Sequence, residues 1–299
     1  MTQLNYHHLR YFHAIAREGS LTKAADRLNV SQSALSIQLK KLEESLGCFL
    51  FEREHKTLSL TEEGRMVLNY ADAIFRTGEE MLATLHNRGG HYRSVIRVGA
   101  VSTLSKNFQI TFLSDALDDQ EVEVVIYSAN LQELIGQLKA HTLDIVLSNS
   151  AVPAEVEPMT RTQIVAEQAV SLIAPRDYEF KVDFRFPQDL QGAPVVLPSR
   201  ESSLRSSFNL LLEKAGIVPL IAAEANDMAT LRLIAREVNA ITLVPPIVVL
   251  DELRSGELKE LCQVPNLRET FYAITADRRF PNRYVQRLLD KPWQGGFAV

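Results

Sequence analysis

Cysteine is nearly absent from this sequence. Cys48 and Cys262 are the only two, far apart, and neither sits in a CxxC or Cys/His pattern. That excludes the usual zinc spacings and a disulfide framework, and leaves two reduced, structural thiols. A redox-sensing pair is the other reading, with nothing beside either thiol built to activate it. Long apolar runs are missing as well. None approaches the roughly 18 residues needed to span a membrane. Asn5, His7, His8 and Arg10 interrupt the N-terminus where a secretory signal would carry an apolar core. The expectation is a cytoplasmic protein without membrane contact. A strong excess of positive charge is also lacking. The net charge is −5, and residues 1–60 hold eight Lys or Arg against six Asp or Glu. Bulk electrostatics therefore would not make the chain a nucleic-acid coat. Catalytic signatures are absent too, with no GxSxG, P-loop, GxGxxG after a strand or HExxH. No enzymatic activity, cofactor or metal is expected.

What is present fits about two domains in 299 residues. Tyr6 to Glu18 carries Leu9, Tyr11, Phe12, Ile15 and Ala16 near helical spacing, and Gly19 stops it. Ser20 can cap a second helix, Leu21 to Leu28, and Asn29 suits a left-handed turn. Ser31 can cap a third, Gln32 to about Leu46, with Leu35, Leu39, Leu42 and Leu46 as its apolar stripe. Phe49–Phe51 and Leu58–Leu60 around a polar turn, Arg53–Thr57, read as a small β-wing. Thr61, Glu62 and Glu63 open a long helix to about Asn87. Val67, Ile74 and Met81 recur every seven residues, as do Ala71, Gly78 and Leu85, which predicts a dimer seam. Gly89-Gly90 reads as a hinge. His86 and His91 flank it, either as solvated side chains or as a pH-sensitive pair.

From Val95 onward short β-rich runs alternate with helical ones. Strands are expected at Val95–Val101, Glu121–Tyr127, Leu143–Ser148, Ala169–Ala174, Pro194–Leu197, Ile241–Val244 and Phe271–Thr275. Helices are expected at Leu104–Ala116, Leu131–Ala140, Ser203–Ala215, Asp227–Glu237 and Pro281–Leu289. Such alternation predicts parallel α/β units.

The first three helices carry the sharpest functional signal. Ala24 and Ala25 are small where two helices must cross closely, and Leu28, Val30 and Leu35 can fill the angle between them. Gln32, Ser33, Ser36 and Lys40 would then face outward near the start of the third helix, where such helices reach base edges. A plain helical hairpin with solvated polar faces is the competing reading. The run Leu9-Arg10-Tyr11-Phe12, Gly19 to Ala25, Leu28 to Ser36, Gln38-Leu39, Leu42-Glu43, Leu46-Gly47, Leu50 to Arg53 and Leu60 to Gly64 resembles the LysR-type transcriptional regulator family. The opening Leu4 to Leu9 resembles the branch that regulates sodium/proton antiporter genes, which makes sodium, lithium or pH the implied signal.

The resemblance implies a winged helix-turn-helix over residues 1–60 and a linker helix and hinge over 61–90. It implies an effector domain over 91–299, similar to periplasmic binding proteins. That domain would hold two α/β subdomains, about 92–163 plus 270–299 and about 164–269. Its base-reading positions fall on Gln32, Ser33 and Ser36, and its phosphate contacts on Thr22 and Arg53. Ile37 stands where the family often has Arg, so that charged contact is missing and a thymine-methyl contact replaces it as the expectation. Lys40 and Lys56 are further DNA candidates, Lys56 equally a solvated wing lysine. Effector candidates are Ser102, Thr103, Ser128, Asn130, Asn149 and Ser199, each read as following a strand, where hydroxyls, amides and free N–H groups favour a small anion. Each is also a helix-cap candidate, the commoner fate of Ser, Thr and Asn at such places. Implied partners are double-stranded promoter DNA, a small-molecule or ionic effector, further copies of the chain as dimer or tetramer, and RNA polymerase. The alternatives are an α/β enzyme with a regulatory helix-turn-helix and a solute-binding module.

Overall fold

The computed structural model describes residues 4–54, 57–86, 93–153, 155–179, 184–278 and 282–291. The chain divides into two compact units, residues 1–92 with 140–142, and 93–139 with 143–299. No described helix is long and apolar enough to cross a membrane.

The first unit opens with three helices, each set by its cap. The Asn5 side chain accepts from the N–H groups of His7 and His8 to start α1, Tyr6–Glu18. Ser20 caps α2, Leu21–Leu28, and Ser31 caps α3, Gln32–Leu46. The turn between α2 and α3 places Asn29 at φ 53°, a left-handed conformation that Asn tolerates. Leu9, Phe12, Ile15, Leu35, Leu39 and Leu42 close over one core, with Ala24 and Ala25 buried at the α2 crossing. Leu46, expected to complete the α3 stripe, is 39% exposed because it is the last helical residue, just before Gly47 turns the chain.

Strands β1, Phe51–Glu54, and β2, Thr57–Leu60, form the antiparallel wing, with Phe51 opposite Leu60 and Glu54 opposite Thr57. Arg53 is thus a strand residue opposite Leu58, not part of the turn. The helix α4, Glu62–His86, follows. The Thr61 hydroxyl accepts from the Gly64 N–H at 2.8 Å and donates to the Phe49 carbonyl at 2.8 Å, so one side chain ties the wing to the helix start. Asn87, Gly89, Gly90, His91 and Lys56 lie outside the described residues.

Along α4 the residues of the expected dimer seam have different surroundings. Ala71 is buried, and Val67 and Ile74 pack against the core of their own unit. Met66, Tyr70, Met81 and Leu82 are the large apolar side chains left exposed, at 53%, 48%, 56% and 50%. Part of the seven-residue recurrence thus packs within the chain, while Met66, Tyr70 and Met81 lie exposed on one face of the helix.

The second unit is built on one eight-stranded sheet, ordered β4-β3-β5-β10-β6-β9-β7-β8. Its elements run β3 Ser94–Val101, α5 Lys106–Asp118, β4 Val122–Ala129, α6 Leu131–Lys139, β5 Ile145–Ser148 and β6 Thr160–Pro175. They continue with β7 Pro194–Pro198, α7 Ser203–Ala215, β8 Leu220–Ala225, α8 Met228–Glu237 and β9 Ile241–Val244. The last are α9 Leu250–Ser255, β10 Leu258–Ala276 and α10 Arg283–Asp290. Parallel pairing is only part of the picture. β3 runs parallel to β4 and β5, and β7 to β8 and β9, but β10 is antiparallel to β5 and β6, and β6 to β9. The strands expected at Ala169–Ala174 and Phe271–Thr275 are segments of the much longer β6 and β10. These two cross the whole unit side by side, joining one half of the sheet to the other. Their pairing shifts register between Glu260 and Cys262, between Gln263 and Arg268, where Asn266 adopts φ 59°, and between Phe271 and Tyr272. The alanine-rich β8 and the short α9 carry no clear period and were not expected.

Candidate functional site

On α3 the opposite faces differ sharply. Leu35, Leu39 and Leu42 are buried, whereas Gln32, Ser33, Ile37 and Lys40 are exposed and Ser36 is half-buried. The structure therefore brings these five together on one face, beginning at the helix N-terminus, where backbone N–H groups favour phosphate or base acceptors. The Ser33 hydroxyl lies 3.1 Å from that of the capping Ser31, which holds it close to the turn. Ile37 is 55% exposed, an apolar group unpartnered on a polar face. Lys40 lies 3.7 Å from Glu44, an exposed pair of little energetic weight. Thr22 is exposed in the first turn of α2.

A polar clamp fixes α1 against α4. Asp72 accepts from His13 Nε2 at 2.7 Å and pairs with Arg17 at 2.6 Å, and the His13 ring lies 5.2 Å from that of Phe75. Burial alone would raise the Asp72 carboxyl, but the hydrogen bonds from His13 and Arg17 outweigh it and hold it below the usual range.

In the second unit the effector candidates separate into those free to meet a ligand and those already engaged. Ser102 and Thr103 follow β3 and are exposed. The Thr103 hydroxyl donates to Asn149 Oδ1 at 3.1 Å, and Asn149 Nδ2 donates to Glu269 Oε1 at 2.9 Å. Loops from β3 and β5 thus meet a side chain of β10. Ser128 does not follow its strand. It belongs to β4, accepts from Lys106 Nζ at 3.2 Å and donates to the Ala100 carbonyl. Asn130 caps α6 by accepting from the Glu133 N–H at 2.9 Å. Ser199 follows β7 in the other half of the sheet. Its loop is braced by the buried Arg205, which donates to the Pro198 carbonyl and pairs with Glu224 at 3.0 Å.

Three residues of this region had not been expected. Glu269 is 5% exposed, and burial pushes its carboxyl up to about 7 despite the opposing hydrogen bond from Asn149. Gln168 stands directly opposite on β6, its Oε1 accepting from the Ile247 N–H while its Nε2 is buried without a partner. Lys106 supplies a cation at the start of α5. Leu267, Glu269, Phe271 and Ala273 alternate in sequence, and a charge inside that alternation is the signal that could have disclosed Glu269.

Residues 6–65 match the family described as bacterial regulatory helix-turn-helix protein, lysR family, and residues 89–291 match the LysR substrate binding domain. The chain is 27% identical over 299 residues to the transcriptional activator protein NhaR of Escherichia coli (strain K12), covering 100% of this chain and 98% of that protein. It is 27% identical over 296 residues to a probable RuBisCO transcriptional regulator of Cyanidioschyzon merolae, covering 93% of each. Among solved structures, ArgP from Mycobacterium tuberculosis superposes with a TM-score of 0.69 at 20% identity, covering 96% of both chains. Full-length CbnR complexed with its target DNA superposes with a TM-score of 0.64 at 23% identity, covering 95% of this chain and 97% of that one. At these identities the two structures speak for the fold alone.

Proposed function

This chain belongs to the LysR family of bacterial helix-turn-helix regulators, and from that membership we propose which of its residues read DNA and which receive the signal. The protein is a sequence-specific DNA-binding transcription regulator with an effector-binding domain. Residues 1–60 are assigned to DNA reading, 61–90 to the linker and hinge, and 91–299 to effector binding, the last as two subdomains of about 92–163 with 270–299 and about 164–269. It acts as a regulator rather than a catalyst, in the cytoplasm where promoter DNA and RNA polymerase meet it.

One observation carries the DNA assignment. The exposed polar face of α3 starts at the helix N-terminus while its other face is sealed into a core, so the helix is held rigidly with its reading edge outward. Gln32, Ser33 and Ser36 are the base readers, Ile37 lies against a thymine methyl, and Lys40, Thr22, Arg53 and Lys56 meet the backbone. Copies of the chain pair to present two such helices to a partly palindromic site. Ser102, Thr103 and Asn149 receive the effector, with Ser199 facing them from the other half of the sheet. To act as a signal, the ligand must bind two arrangements of the halves unequally.

Within the family we place the chain in the antiporter-gene branch, supported by the opening Leu4 to Leu9 and the end-to-end likeness to NhaR. Capture and sequencing of genomic fragments on the full-length protein tests both levels. Enrichment of one partly palindromic site upstream of a sodium/proton antiporter gene is expected. Enrichment elsewhere removes the branch and leaves DNA reading intact, while no enrichment removes both. Gln32→Ala should cost about 1–3 kcal/mol on the enriched site and little on random DNA; equal loss on both would take Gln32 out of base readout.

A further inference from the structure

We propose that the cleft of the second unit takes a small molecule carrying a protonated amine, with Glu269 as the counter-ion for that amine. This rests on the effector-cleft reading above and adds the chemistry of the occupant. Glu269 stands on β10 beside the carboxyl ends of β3 and β5, where open α/β sheets place their ligands. Its Oε1 is held by Asn149, and Asn149 is oriented in turn by the Thr103 hydroxyl. Turning the Asn149 amide over would set its Oδ1 against the ionised carboxylate, so its N–H₂ group stays aimed at Glu269. No described residue donates to the other oxygen, Oε2, and no described cation pairs with the group.

Two nearby cations have other described partners, and no charged group contributes to the Glu269 shift. Lys106, on the helix packed above, donates to Ser128. Arg268, adjacent in sequence, pairs with Glu167 at 3.5 Å among exposed side chains. On the neighbouring strand, directly across from Glu269, Gln168 has its amide orientation fixed by the Ile247 N–H, which leaves Nε2 unpartnered and buried. Across this strand pair an acceptor that no described residue meets thus stands opposite the buried, unpartnered Nε2 of Gln168.

Burial favours the neutral acid, and once the group ionises above about pH 7 the buried carboxylate lacks a cation that a positive group from outside the chain would supply. An anion would add a second negative charge beside the first and is disfavoured. A bare metal ion wants several oxygen ligands, and the described residues hold no group of three or more His, Cys, Asp or Glu that could supply them. An ammonium needs only directional acceptors. One that carries a neighbouring oxygen would answer Gln168 as well.

The test is thermal-shift titration of the full-length protein near pH 8 with butylammonium chloride and ethanolammonium chloride. Controls are sodium chloride at matched ionic strength and sodium propionate. The amines should give a saturable rise in Tm that sodium chloride does not. In Glu269→Gln their apparent dissociation constant should rise about tenfold or more. In the wild type, amine affinity should rise about tenfold between roughly pH 6 and pH 8 as the carboxyl, near 7, ionises. This pH series decides the matter alone if the variant does not fold.

Saturation by propionate but not by amines leaves the cleft in place and overturns the amine assignment. An equal saturable response to sodium chloride overturns it in favour of a metal ion. An amine response that is flat with pH or unaltered in Glu269→Gln, or no response at all, also overturns it. An amine response that survives both Glu269→Gln and Ser102→Ala puts the ligand elsewhere and removes the cleft reading too.

Discussion

Burial lifts the Glu269 carboxyl from 4.5 to about 7, and that difference is a statement about stability. The folded pKa is raised, so the contribution is fully present below about 4.5 and is lost as pH rises through about 7. The loss amounts to about 3 kcal/mol. Glu269→Gln should therefore raise Tm near pH 8 by about 5 °C and leave it nearly unchanged near pH 4.5, as thermal unfolding at the two pH values will read. Asp72 works in the opposite sense. Its lowered carboxyl supports the first unit at neutral pH, and that support is lost as pH falls through and below the ordinary aspartate range. Both groups were open to sequence reading only in part. Asp72 sits on a helix face like any solvated acid, and nothing local says that His13, fifty-nine positions earlier, will reach it. Glu269 interrupts an apolar alternation, which is visible, but its partner Asn149 is 120 positions away.

Helix α4 shows where element-level reading holds and where it fails. Its start was legible because Thr61, Glu62 and Glu63 each have a local role, whereas the packing role of Gly64 was not. A Cβ at Gly64 would lie 2.0 Å from the Leu50 carbonyl oxygen. Its apolar period was legible as well, but period alone cannot say whether a stripe meets a second chain or its own core. Val67 and Ile74 found their own core, so a charge at Ile74 would unfold the unit and report nothing about pairing. Tyr70 is the better probe. Tyr70→Asp should weaken self-association of the full-length chain about tenfold or more while thermal stability changes little. Sedimentation velocity alongside a melting curve will read both, and a retained dimer would move the seam off this face. β6 and β10 failed at the same level for another reason. Their remaining stretches are mixed polar and apolar because one side is exposed, so only the more buried stretches stood out as strands.

At the scale of the whole chain, the charge of −5 means that attraction to DNA comes from a few placed cations rather than from a general field. Arg53→Ala should then weaken specific and random DNA alike and flatten the logarithmic salt dependence by about one unit. Titrations at several salt concentrations will show it, and an unchanged slope would take Arg53 off the phosphate backbone. The two halves of the large sheet are joined by β6 and β10, whose ladder breaks register between Gln263 and Arg268. Mechanically this is a two-stranded torsion strip: stiff to stretching and shear, compliant to twist, and softest where the ladder shifts register, the widest interruption lying between Gln263 and Arg268. A ligand that turned one half against the other would then meet an elastic resistance, and the strip would store the work done on it.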